Sequence, residues 1–218
     1  MTAARLPALI VAAQLTACAA AAPVDYAPFR AHEPRSILVL PPLNHTVDVK
    51  APYSWLSTVT MPLAEEGYYV FPVAVVDAFL KENGLPTPGE MHGVPVQKLG
   101  EVFGADAVLY VTITDWGQKY QVISSNTVVA AEATLVDTRS ALPIWQGKVS
   151  LVDSSGGSGN LIADMVIAAI EQIVDSSTDR AHPLSRTANY ALLYNTERGL
   201  PFGARSPKYA SDLRGRAR

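Results

Sequence analysis

The sequence predicts an α/β (α+β) fold: one mixed sheet, entered as β-α-β-α-α and finished as an antiparallel meander of strands, with helices packed on the sheet. Three features point there. Strand-like apolar runs alternate with stretches of helical spacing from residue 36 to residue 103. Three β-rich runs between residues 106 and 152 are separated only by short turn-like links, which suit direct antiparallel succession. A stretch with apolar residues at helical spacing then follows at 160–176.

Residues 36–40 read SILVL and stop at Pro41-Pro42, a buried first strand. In 52–66, Leu56, Val59 and Leu63 recur at helical spacing ahead of Gly67, and Pro62 is expected to kink or split that helix. Residues 68–73 (YYVFPV) are aromatic and β-branched, a second strand. Over 75–83, Val76, Phe79 and Leu80 share one helical face, and Gly84 stops it. Pro86, Pro88 and Gly89 make 85–93 a loop. A short helix over 94–103 has Pro95 near its first turn and Gly104 just past its end.

The clearest strand is 106–114, where Ala107, Leu109, Val111 and Ile113 form one face and Tyr110, Thr112 and Thr114 the other. Trp116-Gly117-Gln118 reads as a turn. Residues 119–137 read as a long strand bent near Ser124-Ser125-Asn126, 137–142 as a second turn and 144–152 as a final strand. A Gly/Ser loop at 154–159 leads into the helix at 160–176, striped by Ile162, Met165, Val166, Ala169 and Ile173. One more helix is expected at 182–194, and little order beyond Gly199.

The amino terminus has the layout of a secretory signal. Arg5 gives a positive start, and residues 6–15 are apolar apart from Gln14, too short a run to span a bilayer. Leu15-Thr16-Ala17-Cys18 resembles a bacterial lipobox, so residues 1–17 are the expected leader and Cys18 the lipidation site. The competing reading is an ordinary leader cleaved near Ala20 or Ala22. Cys18 is the chain's single cysteine and has no internal partner for a disulfide; acylation gives the thiol a use. Each buried methylene of an acyl chain contributes about 0.8 kcal/mol, and stable anchoring takes more than one chain. Bacterial lipoproteins carry several.

Residues 18–34 are rich in Ala and Pro and read as an extended tether, with Pro23, Pro28 and Pro34 opposing helix. Residues 35–196 then form a single globular domain and 197–218 a disordered basic tail, at whose end Arg205, Lys208, Arg214, Arg216 and Arg218 face only Asp212. With 17 Lys and Arg against 20 Asp and Glu, the formal net charge is −3. No basic stripe of the kind nucleic-acid binders carry is present, so no nucleic-acid partner is expected.

Three segments carry a family resemblance: residues 35–76 (RSILVLPPLNHTVDVKAPYSWLSTVTMPLAEEGYYVFPVAVV), KENGLPTPGEMH at 81–92 and FGADAVLYVTITDWGQKY at 103–120. They resemble an uncharacterised family of bacterial lipoproteins that includes a meningococcal surface-antigen candidate. The order of elements, with GADAVLYVTITDWG and LVDTRSALPIWQG (135–147), is also similar to the amino-terminal domain of the Tol-system translocation protein and to the periplasmic core of the curli secretion-channel lipoprotein. These resemblances imply a non-enzymatic part of an envelope assembly, working through contacts with other proteins. Ala19 stands where many inner-membrane lipoproteins carry aspartate, so the resemblance leans toward the outer membrane, facing the periplasm.

Candidate chemistry is sparse. His32, His45, His92 and His182 form no i,i+3 or i,i+4 pair, so no zinc pattern exists and no cofactor is expected. Gly156-Gly157-Ser158-Gly159-Asn160 lacks the last glycine of a nucleophile elbow and the Gly-Lys-Ser/Thr of a phosphate loop. Glu65 and Glu66 are adjacent on a helix and point to different sides. What remains are contact candidates. Trp116, at the expected turn, is either an exposed anchor for a partner or packed on its own hairpin. Asn44 and His45 lie in the loop after the double proline, and Glu90 and His92 in the loop 85–93. If Glu90, His92 and His45 share a deep cleft, an envelope hydrolase gains; a large apolar cavity favours a ligand-binding lipoprotein serving a transporter. Expected partners are the membrane through Cys18, other envelope proteins, and a second copy joined through a sheet edge left open by the strand within 119–137.

Overall fold

The computed structural model describes residues 24–120, 125–154 and 180–212. Strand β1 (Ser36–Val39) is buried from Ile37 onward and pairs in parallel with β3 (Tyr69–Val70) on one side and β4 (Ala107–Tyr120) on the other. Pro41-Pro42 interrupt it, because proline has no N–H for the ladder. The chain then resumes as β2 (Leu43–Asn44), parallel to the next stretch of β4. β4 runs antiparallel to β5 (Ser125–Asp137), and β5 to β6 (Pro143–Ser154). The sheet order is β3-β1-β4-β5-β6, a mixed sheet whose outer strands among the described residues are β3 and β6.

Alternation on β4 sorts the core into two layers. Ala107, Leu109, Val111 and Ile113 face one cluster, shared with Trp55, Leu56, Val59 and Leu63 of α2 (Ala51–Glu65) and Leu192 and Leu193 of α6 (Ala181–Leu193). Val108 faces the other, with Val76 and Leu80 of α3 (Val73–Glu82), Met91 of α4 (Pro88–His92) and Leu99 of α5 (Val96–Phe103). α5 ends at Gly104, whose left-handed φ of 70° is the glycine stop expected there. Asp106 next to it accepts from the N–H groups of Arg35 and Ser36 and from the Ser36 hydroxyl, tying the start of β1 to the start of β4.

Four local expectations are overturned. Trp116-Gly117-Gln118 is no turn; β4 runs through it. α2 is not split by Pro62, which sits in the last turn, while Glu66 N–H still reaches the Pro62 carbonyl at 3.0 Å. Residues 88–92 are helix rather than loop. Thr87 caps α4 in a reciprocal capping box with Glu90, and Pro88 takes the first turn, where its missing N–H costs nothing. Finally, the strand in 119–137 is not an edge: β5 is flanked by β4 and β6, and the long outer strand among the described residues is β6.

The packed unit also extends beyond 35–196 at both ends. On the amino side, α1 (Ala27–His32) forms with Pro28 in its first turn, and Tyr26 and Phe29 enter the core at 7% and 4% exposure. Burying each such aromatic side chain contributes about 1.5–3 kcal/mol toward the ordering of what reads as a spacer. On the carboxyl side, Leu200 is fully buried and its N–H bonds the Leu193 carbonyl. Gly203 lies against Gly67, whose φ is +97° and where a Cβ would come within 2.4 Å of Ser206 N. Asp212 accepts from the Phe202 N–H at 2.7 Å. Cys18, residues 1–17, the Gly/Ser loop at 155–159 and the helix expected at 160–176 lie outside the described residues.

Candidate functional site

The sequence candidates scatter. Cys18 is outside the described residues. Trp116 is 4% exposed and belongs to the core shared with α2 and α6. A bulge puts it there. Ile113 pairs with Ala131, but Asp115 pairs with Ala130 and Trp116 with Val129, so Thr114 is the extra residue. One inserted residue reverses the alternation and turns Trp116 inward. Glu90 is engaged in its capping box, its carboxylate accepting from the Thr87 N–H at 2.9 Å and the Thr87 hydroxyl at 2.8 Å. His92 bonds the Pro41 carbonyl through Nε2 at 2.9 Å and stands edge-on to Tyr110. Burial pushes the His92 imidazole below its ordinary pKa, although the bond to Pro41 opposes the shift. His45 is exposed in a different loop. Among the described residues, no three His, Cys, Asp or Glu side chains lie together in a way that would hold a metal ion.

Asn44 instead organises its loop. Its side-chain oxygen accepts from the Thr46 N–H and hydroxyl, its amide donates to the Asp48 carbonyl at 2.8 Å, and Asp48 caps the Lys50 N–H. This turn-within-a-turn pushes Val47 and Val49 outward at 101% and 82% exposure. They are displayed by a hydrogen-bonded frame.

A second apolar surface lies at the β3 edge. Tyr69, Phe71, Phe103 and Phe79 form a chain of edge-to-face rings with centroids 5.1, 6.4 and 5.2 Å apart. Tyr69 and Phe79 are exposed, as are Val75 of α3 and Val102 of α5 beside them. Tyr53 of α2 joins from the other side, with the Lys81 ammonium 5.1 Å over its ring. The two-residue length of β3 leaves Tyr69 at the rim of the sheet.

Two polar clusters also escaped the sequence. Ser54 and His182 are joined at 2.8 Å between α2 and α6, backed by Thr58, Ser185 and Asn189. No carboxylate among the described residues pairs with His182, so the pair links two helices and lacks the third member of a hydrolytic triad. Tyr190 and Tyr194 both donate to one Glu65 oxygen, at 3.0 and 2.9 Å. Burial, followed by the Glu65 contact, pushes both phenols above their ordinary range. An open groove of about 810 Å³ runs beside β6, lined in part by Val24, Gln146, Lys148, Ser150, Leu192 and Arg198. No helix among the described residues is long and apolar enough to cross a membrane.

The fold and these surfaces define a mixed α/β domain with large apolar side chains exposed on its rim. Residues 24–205 match the family described as "Putative lipoprotein GNA1162-like", and the chain belongs to that family. It is 45% identical over 170 residues, 78% of this chain and 79% of the relative, to "Putative lipoprotein NMB1124/NMB1162" of Neisseria meningitidis serogroup B. The crystal structure of lipoprotein GNA1162 from Neisseria meningitidis superposes with a TM-score of 0.55 at 45% identity, covering 58% of this chain and 88% of that one. The structure of a dodecamer of a PelC variant from Paraburkholderia phytofirmans gives a TM-score of 0.47 at 14% identity, over 78% and 90% of the two chains.

Proposed function

We propose that this chain is a non-enzymatic envelope lipoprotein, anchored by lipid on Cys18 at the periplasmic side of the outer membrane, and acting as a subunit or scaffold of a transport or secretion assembly. The observation that carries the reading is the pairing of family with surface. The chain belongs to a lipoprotein family, and several of its large exposed apolar side chains fall at two places, Val47 and Val49 on one loop and Tyr69 and Phe79 in the ring chain at the β3 edge. Exposed apolar clusters of this kind suit protein contacts. Three carboxylates that could have served chemistry are committed to caps and ties: Glu90 to Thr87, Asp106 to β1, Glu65 to two tyrosines. Glu90 is held in the cap of α4, His92 at the other end of that helix bonds the Pro41 carbonyl, and His45 stands exposed in its loop, which favours a scaffold over a hydrolase.

The test is fractionation followed by crosslinking. The wild-type chain is expected in the outer-membrane fraction and Cys18→Ser in the soluble fraction. Crosslinking in intact membranes, with identification by mass spectrometry, should then recover the same envelope protein from wild type in repeated experiments. A Cys18→Ser chain that stays with the bilayer, or a wild type recovered uncrosslinked, would overturn the reading.

A further inference from the structure

We infer that the domain is held close against the bilayer by its β6 side, so that the aromatic β3 edge is its membrane-distal surface. The inference rests on the lipid anchor proposed above. Its structural basis is how near to Cys18 the chain docks on the domain. A tether of 18–34 would let the domain roam about 58 Å at full extension. Val24 instead already packs on the core, and Tyr26 donates its hydroxyl to the Gly199 carbonyl at 2.7 Å. Six residue steps separate Cys18 from Val24, about 20 Å at full stretch and roughly 14 Å as a flexible coil.

Val24 marks the side that this short link pulls down. It lines a groove over β5 and β6 with Ala131, Ala133, Lys148, Val149 and Arg198, and α1, which follows it, packs on β6. Four strand spacings separate β6 from β3, about 19 Å. Turning the β3 edge to the bilayer would therefore need the link almost fully extended around the domain. The chemistry of the two edges agrees. None of the large exposed apolar side chains among the described residues lies on β6 between Ile144 and Asp153, and its outward positions carry Gln146, Ser150 and a Lys148–Glu132 ion pair at 2.6 Å. A polar, nearly neutral face suits hydrated lipid headgroups without insertion. The apolar strip of Tyr69, Val75, Phe79 and Val102 is turned toward proteins.

The experiment uses the single cysteine. Once Cys18 is acylated, any introduced cysteine is a unique label. Full-length lipidated Lys148→Cys, Ser150→Cys and Val75→Cys chains carry a fluorophore in phosphatidylethanolamine/phosphatidylglycerol vesicles doped with a headgroup nitroxide quencher. Labels at 148 and 150 should be quenched more strongly than the label at 75, by roughly a factor of two or more for an edge separation of about 19 Å. A Gly/Ser spacer of about a dozen residues between Pro23 and Val24 should erase the difference, because it roughly triples the reach. Equal or reversed quenching in the parent chains, or a difference that survives the spacer, overturns the orientation. Removing the acyl chains with Cys18→Ser should release the labelled protein from vesicles. Retention there overturns the inference by way of its premise, and identifies the anchor, rather than the orientation, as what failed.

Discussion

The two edges of the sheet were built for different purposes. β6 is a strand of Pro143–Ser154 with a polar rim, and it is fastened to everything around it. Trp145 is 3% exposed and its indole N–H bonds the Arg198 carbonyl at 3.1 Å, while α6 and α1 pack on the same strand. β3 is two residues long, yet it carries a row of aromatic rings that the fold leaves half in water. A long open edge risks strand addition, and its lysine and polar neighbours blunt that risk. A short edge offers little backbone to a partner, so its recognition power must come from side chains. Length and polarity thus trade places across the sheet.

The contrast can be broken most forcefully at β6. Trp145→Ala removes a buried indole and should cost about 3–5 kcal/mol, read as a large fall in thermal or urea midpoint. The turn that delivers the chain into β6 comes next. Burial would raise the Asp137 carboxyl, but the N–H and hydroxyl of Ser140 and the N–H of Arg139 hold it below the usual carboxylate range. A depressed folded-state pKa contributes stability above the unfolded value of about 3.9 and loses it as pH falls through the folded value. Asp137→Asn should therefore cost about 1.5–3 kcal/mol near pH 7. Urea unfolding across a pH series should show the gap from wild type closing in acid below about pH 4. A gap that is constant with pH would remove the ionised carboxylate from the account.

Smaller effects sharpen the comparison. Tyr26→Phe deletes the bond to Gly199 and should cost about 0.5–1.5 kcal/mol, with faster amide exchange confined to α1 and the 195–200 turn. At β3, Val75→Ser alters a side chain that is 64% exposed and should move stability by no more than about 0.5 kcal/mol. Crosslinking to the envelope partner should nevertheless fall. If Val75→Ser unfolds the protein, the strip belongs to the core and the contrast between the edges is lost.

Much of the architecture was legible because the relevant signals are local. SILVL before a double proline, the alternation from Ala107 to Ile113 and Gly104 after α5 each encode their element within a few residues. α4 was equally legible: Thr87-Pro88-Gly89-Glu90 spells a capping box, but the density of Pro and Gly drew the reading toward a loop. Trp116 was beyond reach, because its side depends on one bulged residue, Thr114, and a bulge has no composition of its own. The ends were misread for a related reason. Phe29 and Leu200 owe their burial to distant parts of the chain, and nothing in the adjacent Ala/Pro or basic sequence announces those contacts. The same limit hid the contact surfaces, since the exposure of Tyr69 and Phe79 follows from how short β3 is.

One late feature bears on how the protein can be handled. Tyr209 donates to the Glu33 carboxylate at 2.9 Å, and the Arg205 guanidinium reaches the Arg35 carbonyl, so residues 205–209 clasp the segment that leads into β1. Truncation ahead of Arg205 should therefore loosen the entry to β1, although the cut falls about 170 residues away in the chain.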